Sequence, residues 1–183
     1  MKILVIGANL IGLSCAQSLC NQNHDVTIID SVNEIGHPQN HPGLVEGIVD
    51  LSEFDTQIHL TDTGCRRSWL EKSLAQSIPA TFHLSVNIEN FSKEYDEIID
   101  TRSVCVEKWE GGVTLNGREP TLEIIVHRSD GTVECWTQGE LPDVEGGWLE
   151  RFSGYFDLHT ASIDSAIIKG RDLAESAQIK KSR

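Results

Sequence analysis

The sequence has no run of apolar residues approaching the ~20 needed to cross a bilayer, so no membrane-spanning segment is expected. It has no CxxC pair. Its five cysteines (Cys15, Cys20, Cys65, Cys105 and Cys135) are scattered and odd in number, which points to free thiols in a reducing cytoplasm. Basic side chains are few, 15 against 28 acidic ones, and the formal net charge of −13 would repel both nucleic acid and an anionic membrane surface. The basic end, Lys180-Lys181-Ser182-Arg183, reads as a solvated tail. A signal peptide is not expected either, because Asn9 and the neighbouring glycines interrupt the first apolar run. Internal repeats and low-complexity linkers are absent. What is present, 39% hydrophobic and 23% charged residues in 183, fits a globular chain with one good core and a small appendage.

The first thirty residues, MKILVIGANLIGLSCAQSLCNQNHDVTIID, carry the strongest pattern. Lys2 to Ile6 is a short β-type run, Gly7-Ala-Asn-Leu-Ile-Gly12 breaks it, a helix-spaced segment follows, and Asp25 to Ile29 is a second β-type run ending at Asp30. Strand, glycine turn, helix, strand and acid form the layout of a nucleotide-binding βαβ unit. In such a unit the helix N-terminus faces a diphosphate and the acid takes the ribose hydroxyls. Asp30 follows Gly12 by 18 residues, against a usual spacing of about 20. The middle glycine of the GxGxxG pattern is Asn9 here. Asn is one of the less costly replacements, since it tolerates left-handed backbone and brings its own amide donor. An αβ unit that binds nothing is the alternative.

Along the first helix Ile11, Cys15 and Leu19 share a face with the small residues Gly12 and Ala16, a core face that sits close on a sheet. Ser31 to Gly47 reads as loop. His37 and His41 are four apart, but Pro38 and Pro42 oppose a helix there and no Cys, Asp or Glu completes a ligand set, so no metal is expected. Trp69, Leu70 and Leu74 give a second helix an apolar face with Arg66 and Arg67 at its start. Cations there oppose the helix dipole, so they either answer to another charge such as a phosphate or form a solvated pair. Ala80 to Val86 reads as a strand. Leu122 to Trp136 is two β-rich runs around Asp130-Gly131, a hairpin signal. Ile163, Ala166, Ile167, Gly170, Leu173, Ala174 and Ala177 keep helical spacing, and Gly170 would let this last helix approach the first.

Several of these stretches resemble the geranylgeranyl-reductase-type FAD oxidoreductases, glutathione-reductase-like Rossmann flavoproteins, in strongly shortened form. Glu34-Ile-Gly-His-Pro-Gln-Asn-His-Pro-Gly-Leu-Val45 is similar to their E-I-G-x-P-x-x-C-x-G-L-V loop, with His41 in the cysteine position. Arg66-Arg-Ser-Trp-Leu-Glu-Lys-Ser-Leu-Ala75 resembles their R-x-x-L-E-x-x-L-A helix, Tyr95-Asp-Glu-Ile-Ile-Asp-Thr101 their Y-D-x-V-I strand, and Ser162 to Ala174 their closing helix. The resemblance implies a diphosphate at Gly7, Asn9 and Gly12, and a ribose at Asp30 with Ser31 beside it. It also implies a cofactor contact at Arg67 and an adenine against the backbone of Val86. Asp157, in Gly154-Tyr-Phe-Asp157, stands for the acid on the ribityl chain, and Ile163 opens a helix aimed at the flavin. In that helix Asp164 would repel a reduced, anionic ring if it points inward. His41 beside the ring would be the catalytic candidate, an imidazole able to give a proton near neutral pH. A surface-loop histidine is the alternative.

The expected fold class is α/β: a Rossmann-like FAD/NAD(P)-binding domain with a parallel sheet, built from residues 1–105 and 150–183, and a small antiparallel β insert over 106–149. The implied function is flavin-mediated hydride or electron transfer on an unknown, apolar small molecule, with FAD as cofactor and NAD(P) as the alternative. Two other readings stand beside it, a degenerate non-catalytic relative that holds a nucleotide or a partner, and a small NAD(P)-binding protein. A homodimer that roofs the pocket is the partner arrangement left open.

Overall fold

The computed structural model describes residues 1–53, 58–90, 95–102 and 107–179; Cys105 and the basic end at 180–183 lie outside them. The chain forms two compact units, Met1–His37 with Glu71–Arg102 and Ala166–Arg183, and Pro38–Leu70 with Ser103–Ser165.

The first unit is built on β1 (Lys2–Ile6), β2 (Asp25–Ile29), β3 (Thr81–His83) and β4 (Glu97–Asp100), all parallel in the order β3-β2-β1-β4. The runs of Ile, Leu and Val in β1 and β2 are what a parallel strand covered on both faces requires. Leu4, Ile6 and Ile29 pack on one face with Val86, Ile88 and Tyr95. Helix α1 (Leu10–Asn21) connects β1 to β2 with Leu10 to Ala16 and Leu19 all buried, a wider apolar face than the Ile11–Cys15–Leu19 stripe alone. The strand expected over 80–86 stops at His83: Ser85 turns to a left-handed φ of +59°, and its N–H goes to the Val32 carbonyl.

Helix α2 (Arg67–Ser77) leads into β3, and α3 (Ile163–Ile179) closes the chain. Gly170 of α3 lies so close to α1 that a Cβ would stand 2.4 Å from the Ile11 carbonyl oxygen. Ser14 donates its hydroxyl to the Ile167 carbonyl at 2.9 Å across the same contact. The two ends of the sequence are therefore packed together, with glycine setting the approach.

The second unit holds an antiparallel sheet in the order β6-β7-β5-β8: β5 (Glu107–Leu115), β6 (Ile124–His127), β7 (Thr132–Thr137) and β8 (Glu150–Phe156). The β6–β7 hairpin turns at Asp130-Gly131, where Gly131 has φ +80° and Asp130 accepts from the Thr132 N–H and hydroxyl. The sheet extends past the 106–149 segment, since β8 pairs along β5. Its core is aromatic: Trp109 stacks on Phe156 with centroids 5.1 Å apart, and Trp136 meets the edge of Phe156 at 5.3 Å.

Among the described residues no helix is long and apolar enough to cross a membrane, and no group of three or more His, Cys, Asp or Glu stands ready for a metal. Cys15, Cys20 and Cys135 are free thiols. Burial pushes the thiols of Cys15 and Cys135 up to about 12, which keeps them from being nucleophiles.

Candidate functional site

The turn between β1 and α1 brings Gly7, Asn9, Gly12 and Asp30 together. Gly7 has φ +111° and donates its N–H to the Ile29 carbonyl, locking the turn to the end of β2. A Cβ on Gly12 would stand 1.9 Å from the Gly7 carbonyl oxygen, so only glycine lets strand and helix close this tightly. Asn9 is the N-cap of α1, and its side-chain oxygen accepts the Gly12 N–H at 3.0 Å. Asp30 accepts the Ala8 N–H at 2.7 Å and the Val32 N–H at 3.1 Å, while the Ser31 hydroxyl reaches it at 3.5 Å. A carboxylate has about four lone-pair sites, which leaves room for further donors such as ribose hydroxyls. Val86 donates its N–H to the Asp30 carbonyl at 3.2 Å and packs its half-buried side chain against the cluster of Leu4, Ile6 and Ile29. The parts present fit an adenine dinucleotide: a helix N-terminus, a turn that only glycine can close, and a carboxylate at the end of β2.

Two neighbours of this turn were not foreseen from the sequence. Thr101, directly after β4, donates its hydroxyl to the Ile6 carbonyl at 2.8 Å beneath the turn. Arg102 follows it, with its Cγ 3.5 Å from where a Gly7 Cβ would stand. The Asp100–Thr101–Arg102 sequence at the end of β4 thus runs beside the turn and brings a guanidinium to it.

His41, Arg67, Asp157 and Ile163 belong to the second unit. The His41 ring packs on Phe156 with centroids 5.4 Å apart, and its Nδ1 lies 2.7 Å from the Asn40 side-chain oxygen. Burial first, and the Arg67 guanidinium second, push its pKa down to about 3. The ring is therefore neutral at physiological pH and has no extra proton to give. Arg67 is buried at 3% exposure and donates from Nη1 to the carbonyls of Pro42 (3.3 Å) and Ala161 (2.7 Å). Arg66 answers to carboxylates of its own unit instead, at 3.0 Å from Asp130 in the hairpin turn and 3.5 Å from Glu150 at the start of β8. Asp157 caps a short 3-10 turn by accepting the His159 N–H at 3.0 Å. Ile163 donates its N–H to the Leu44 carbonyl at 2.8 Å.

Asp164 does not face outward as a free charge. It is fully buried and accepts the N–H groups of Glu46 (2.7 Å), Ile48 (2.7 Å) and Val49 (2.8 Å), tying that loop to the first turn of α3. Ser162 caps the same turn by accepting the Ser165 N–H, and its hydroxyl donates to Glu46 at 2.6 Å. A buried ion pair lies nearby in the same unit. Arg128 Nη2 reaches Glu134 at 2.5 Å, and Glu134 also accepts from the Gly43 N–H and the Trp136 indole. The antiparallel sheet carries a cavity of about 490 Å³ lined by Lys108, Glu110, Gln138, Glu140, Leu141 and Arg151, most of them charged or polar.

Residues 5–52 match the model of the NAD(P)-binding Rossmann-like domain. No curated protein sequence matches the chain. Solved structures do. Glycine oxidase from Bacillus cereus ATCC 14579 superposes with a TM-score of 0.65 at 11% identity, over 98% of this chain and 95% of that one. A geranylgeranyl bacteriochlorophyll reductase-like protein from Thermoplasma acidophilum gives 0.66 at 10% identity, over 99% and 79%. A flavoprotein/dehydrogenase from Cytophaga hutchinsonii gives 0.60 at 12% identity, over 100% and 79%. The chain has the α/β Rossmann fold of these oxidoreductases. The resemblance to the geranylgeranyl-reductase type holds at the level of the fold, and it extends through the antiparallel sheet that the sequence motifs left uncovered.

Proposed function

We propose that this chain is a small FAD-binding oxidoreductase-type protein that holds the cofactor's diphosphate at the Gly7–Gly12 turn and its adenosine ribose at Asp30. The observation that carries the reading is the Asp30 carboxylate fixed by the Ala8 N–H at 2.7 Å, which sets the acid beside the turn and the N-terminus of α1. When bound, FAD supplies two-electron redox chemistry that no side chain offers. The protein's own part is binding and orientation. Gly7, Asn9 and Gly12 shape the turn, Asp30 and Ser31 offer oxygens to hydroxyl donors, and Val86 lines the region beyond Asp30. In the second unit, Arg67 and Ile163 brace the Pro42–Leu44 loop, and His41 contributes a neutral ring. The free thiols of Cys15, Cys20 and Cys135 support a reducing compartment such as the cytoplasm.

A second reading, a relative that keeps a nucleotide and runs no turnover, is favoured by the first turn of α3. There the Ile163 N–H is taken by Leu44 and the Ser162 hydroxyl by Glu46. The absorbance spectrum of the purified chain, before and after incubation with FAD, separates the two. Flavin bands that stay with the protein through gel filtration support the first. A colourless protein that binds ADP supports the second, and one that binds neither FAD nor ADP overturns both. Calorimetric titration with NADH and NADPH tests the nicotinamide alternative.

A further inference from the structure

Two amide donors of the Gly7–Gly12 turn are already taken by side chains of the protein. The Ala8 N–H goes to Asp30 at 2.7 Å and the Gly12 N–H to Asn9 at 3.0 Å. The remaining amides of the first turn of α1 have no intrahelical acceptor, but they carry only partial charge. A diphosphate brought here would also meet the carboxylates of Asp30 and Asp100, in a chain of net charge −13. A full positive charge beside the turn would make the position more favourable for an anion. Arg102 is placed to provide it, with its Cγ 3.5 Å from the Cβ position of Gly7.

Resting on the nucleotide reading above, we infer that Arg102 is a phosphate-binding residue of this turn, its guanidinium passing from Asp100 to the diphosphate when the nucleotide binds. Asp100 holds it through Nε at 2.9 Å and Nη2 at 2.6 Å, and no partner is seen for Nη1 among the described residues. The pair is open to solvent, 51% and 46% exposed at the two side chains. Exposed pairs hold weakly, so release from Asp100 costs little. A guanidinium suits the incoming group, because its planar fork matches phosphate oxygens as well as carboxylate ones. Asp100, and Asp30 at longer range, both favour the charged form of Arg102, so the cation is present at any pH where nucleotide binds. The backbone beneath is fixed by the Thr101 hydroxyl on the Ile6 carbonyl, which keeps Arg102 beside the turn.

The test is equilibrium binding of ADP, 2′-AMP and adenosine to the full chain, at low and high salt, for the wild type, Arg102→Gln, Arg102→Lys and Asp100→Asn. Arg102→Gln is expected to weaken ADP by about tenfold, the worth of a charged hydrogen bond, and to leave adenosine within about twofold. Its ADP affinity should also depend less on salt, and Arg102→Lys should keep part of the wild-type affinity. Asp100→Asn removes the competing partner and should tighten ADP, which keeps the test alive if Arg102→Gln folds poorly. Equal losses for ADP and adenosine, an effect confined to 2′-AMP, or an Asp100→Asn chain that binds ADP no better each overturn the assignment. A wild type that binds neither ADP nor FAD brings down the nucleotide reading and this inference with it. A wild type that binds ADP beside an Arg102→Gln chain that binds it equally well brings down the inference alone.

Discussion

Asn9 accepts the Gly12 N–H on its side-chain oxygen at 3.0 Å, so the residue that replaces the middle glycine of the turn is the cap of the helix behind it. Asn ranks among the best N-cap residues, and glycine at an N-cap gives up only a few tenths of a kcal/mol. Asn9→Gly should therefore lower stability by only about 0.3 kcal/mol, while Asn9→Ala loses about 1 kcal/mol. The glycine variant also frees the Gly12 N–H and removes a Cβ, so ADP should bind more tightly. Thermal melts and calorimetry read both effects. Weaker ADP binding by Asn9→Gly would mean that the Asn9 amide is itself a phosphate ligand.

Asp30 serves two masters in the proposed site, the Ala8 and Val32 amides within the protein and the ribose of the nucleotide. Asp30→Ala leaves those hydroxyl groups without their acceptor and should weaken ADP and adenosine alike by roughly 1–3 kcal/mol. Asp30→Asn keeps one acceptor oxygen and should lose less. If adenosine binds the alanine variant as tightly as the wild type, the ribose does not lie at Asp30.

The β1–α1–β2 unit was legible because every level agrees there: short unbroken apolar runs, a glycine turn, helical spacing and an acid at the right distance. The hairpin at Asp130-Gly131 was legible for the same local reason. The cap on α1 was within reach, since Asn before a helical run is a start signal, but reading Asn9 only as a missing glycine hid it. Asp164 was beyond reach, because the N–H groups that donate to its carboxylate lie 115 to 118 residues earlier in the chain. Glu134 was hidden likewise. It stands in a strand buried on both faces, and its Gly43 partner is 91 residues away. Arg67 sits where the helix pattern put it, yet the backbone carbonyls it braces come from Pro42 and Ala161, which no spacing rule connects.

Gly170 offers a contest between two effects of known size. Alanine in a helix interior is favoured over glycine by about 1 kcal/mol. Against this, a Cβ at Gly170 would stand 2.4 Å from the Ile11 carbonyl oxygen and 2.8 Å from the Ser14 Cβ, and the first of these is backbone that cannot step aside. Overpacking of this kind costs about 1–3 kcal/mol, so Gly170→Ala should be destabilising on balance by urea titration. A stabilised variant would show that α1 and α3 are not in this close contact.

His41 makes stability fall with acid. Its pKa is about 3 in the folded chain against an ordinary 6.5, so below pH 6.5 the unfolded chain takes up a proton that the folded one refuses. The His41 contribution is complete above about pH 6.5 and is progressively lost as pH drops toward about 3. Urea midpoints measured at pH 7.5 and pH 5 should differ more for the wild type than for His41→Asn. An equal pH response in the two chains would mean that the imidazole titrates freely.

The Arg128–Glu134 pair yields the largest expected effect. Its side chains are 1% and 0% exposed, and Glu134 is also the acceptor for the Gly43 N–H at 3.1 Å and the Trp136 indole at 2.5 Å. Arg128→Met leaves the Glu134 carboxylate buried without its counter-charge, a loss of about 3–5 kcal/mol. Glu134→Gln leaves the guanidinium uncompensated but keeps an acceptor for Gly43 and Trp136, so it should cost less than Glu134→Leu, which strands all three donors. Combining Arg128→Met with Glu134→Gln removes both charges and retains that acceptor. The double variant should therefore be more stable than Arg128→Met alone, a sign reversal that a double-mutant cycle in urea resolves. Strictly additive losses would show that the two side chains do not share one buried, neutralised site.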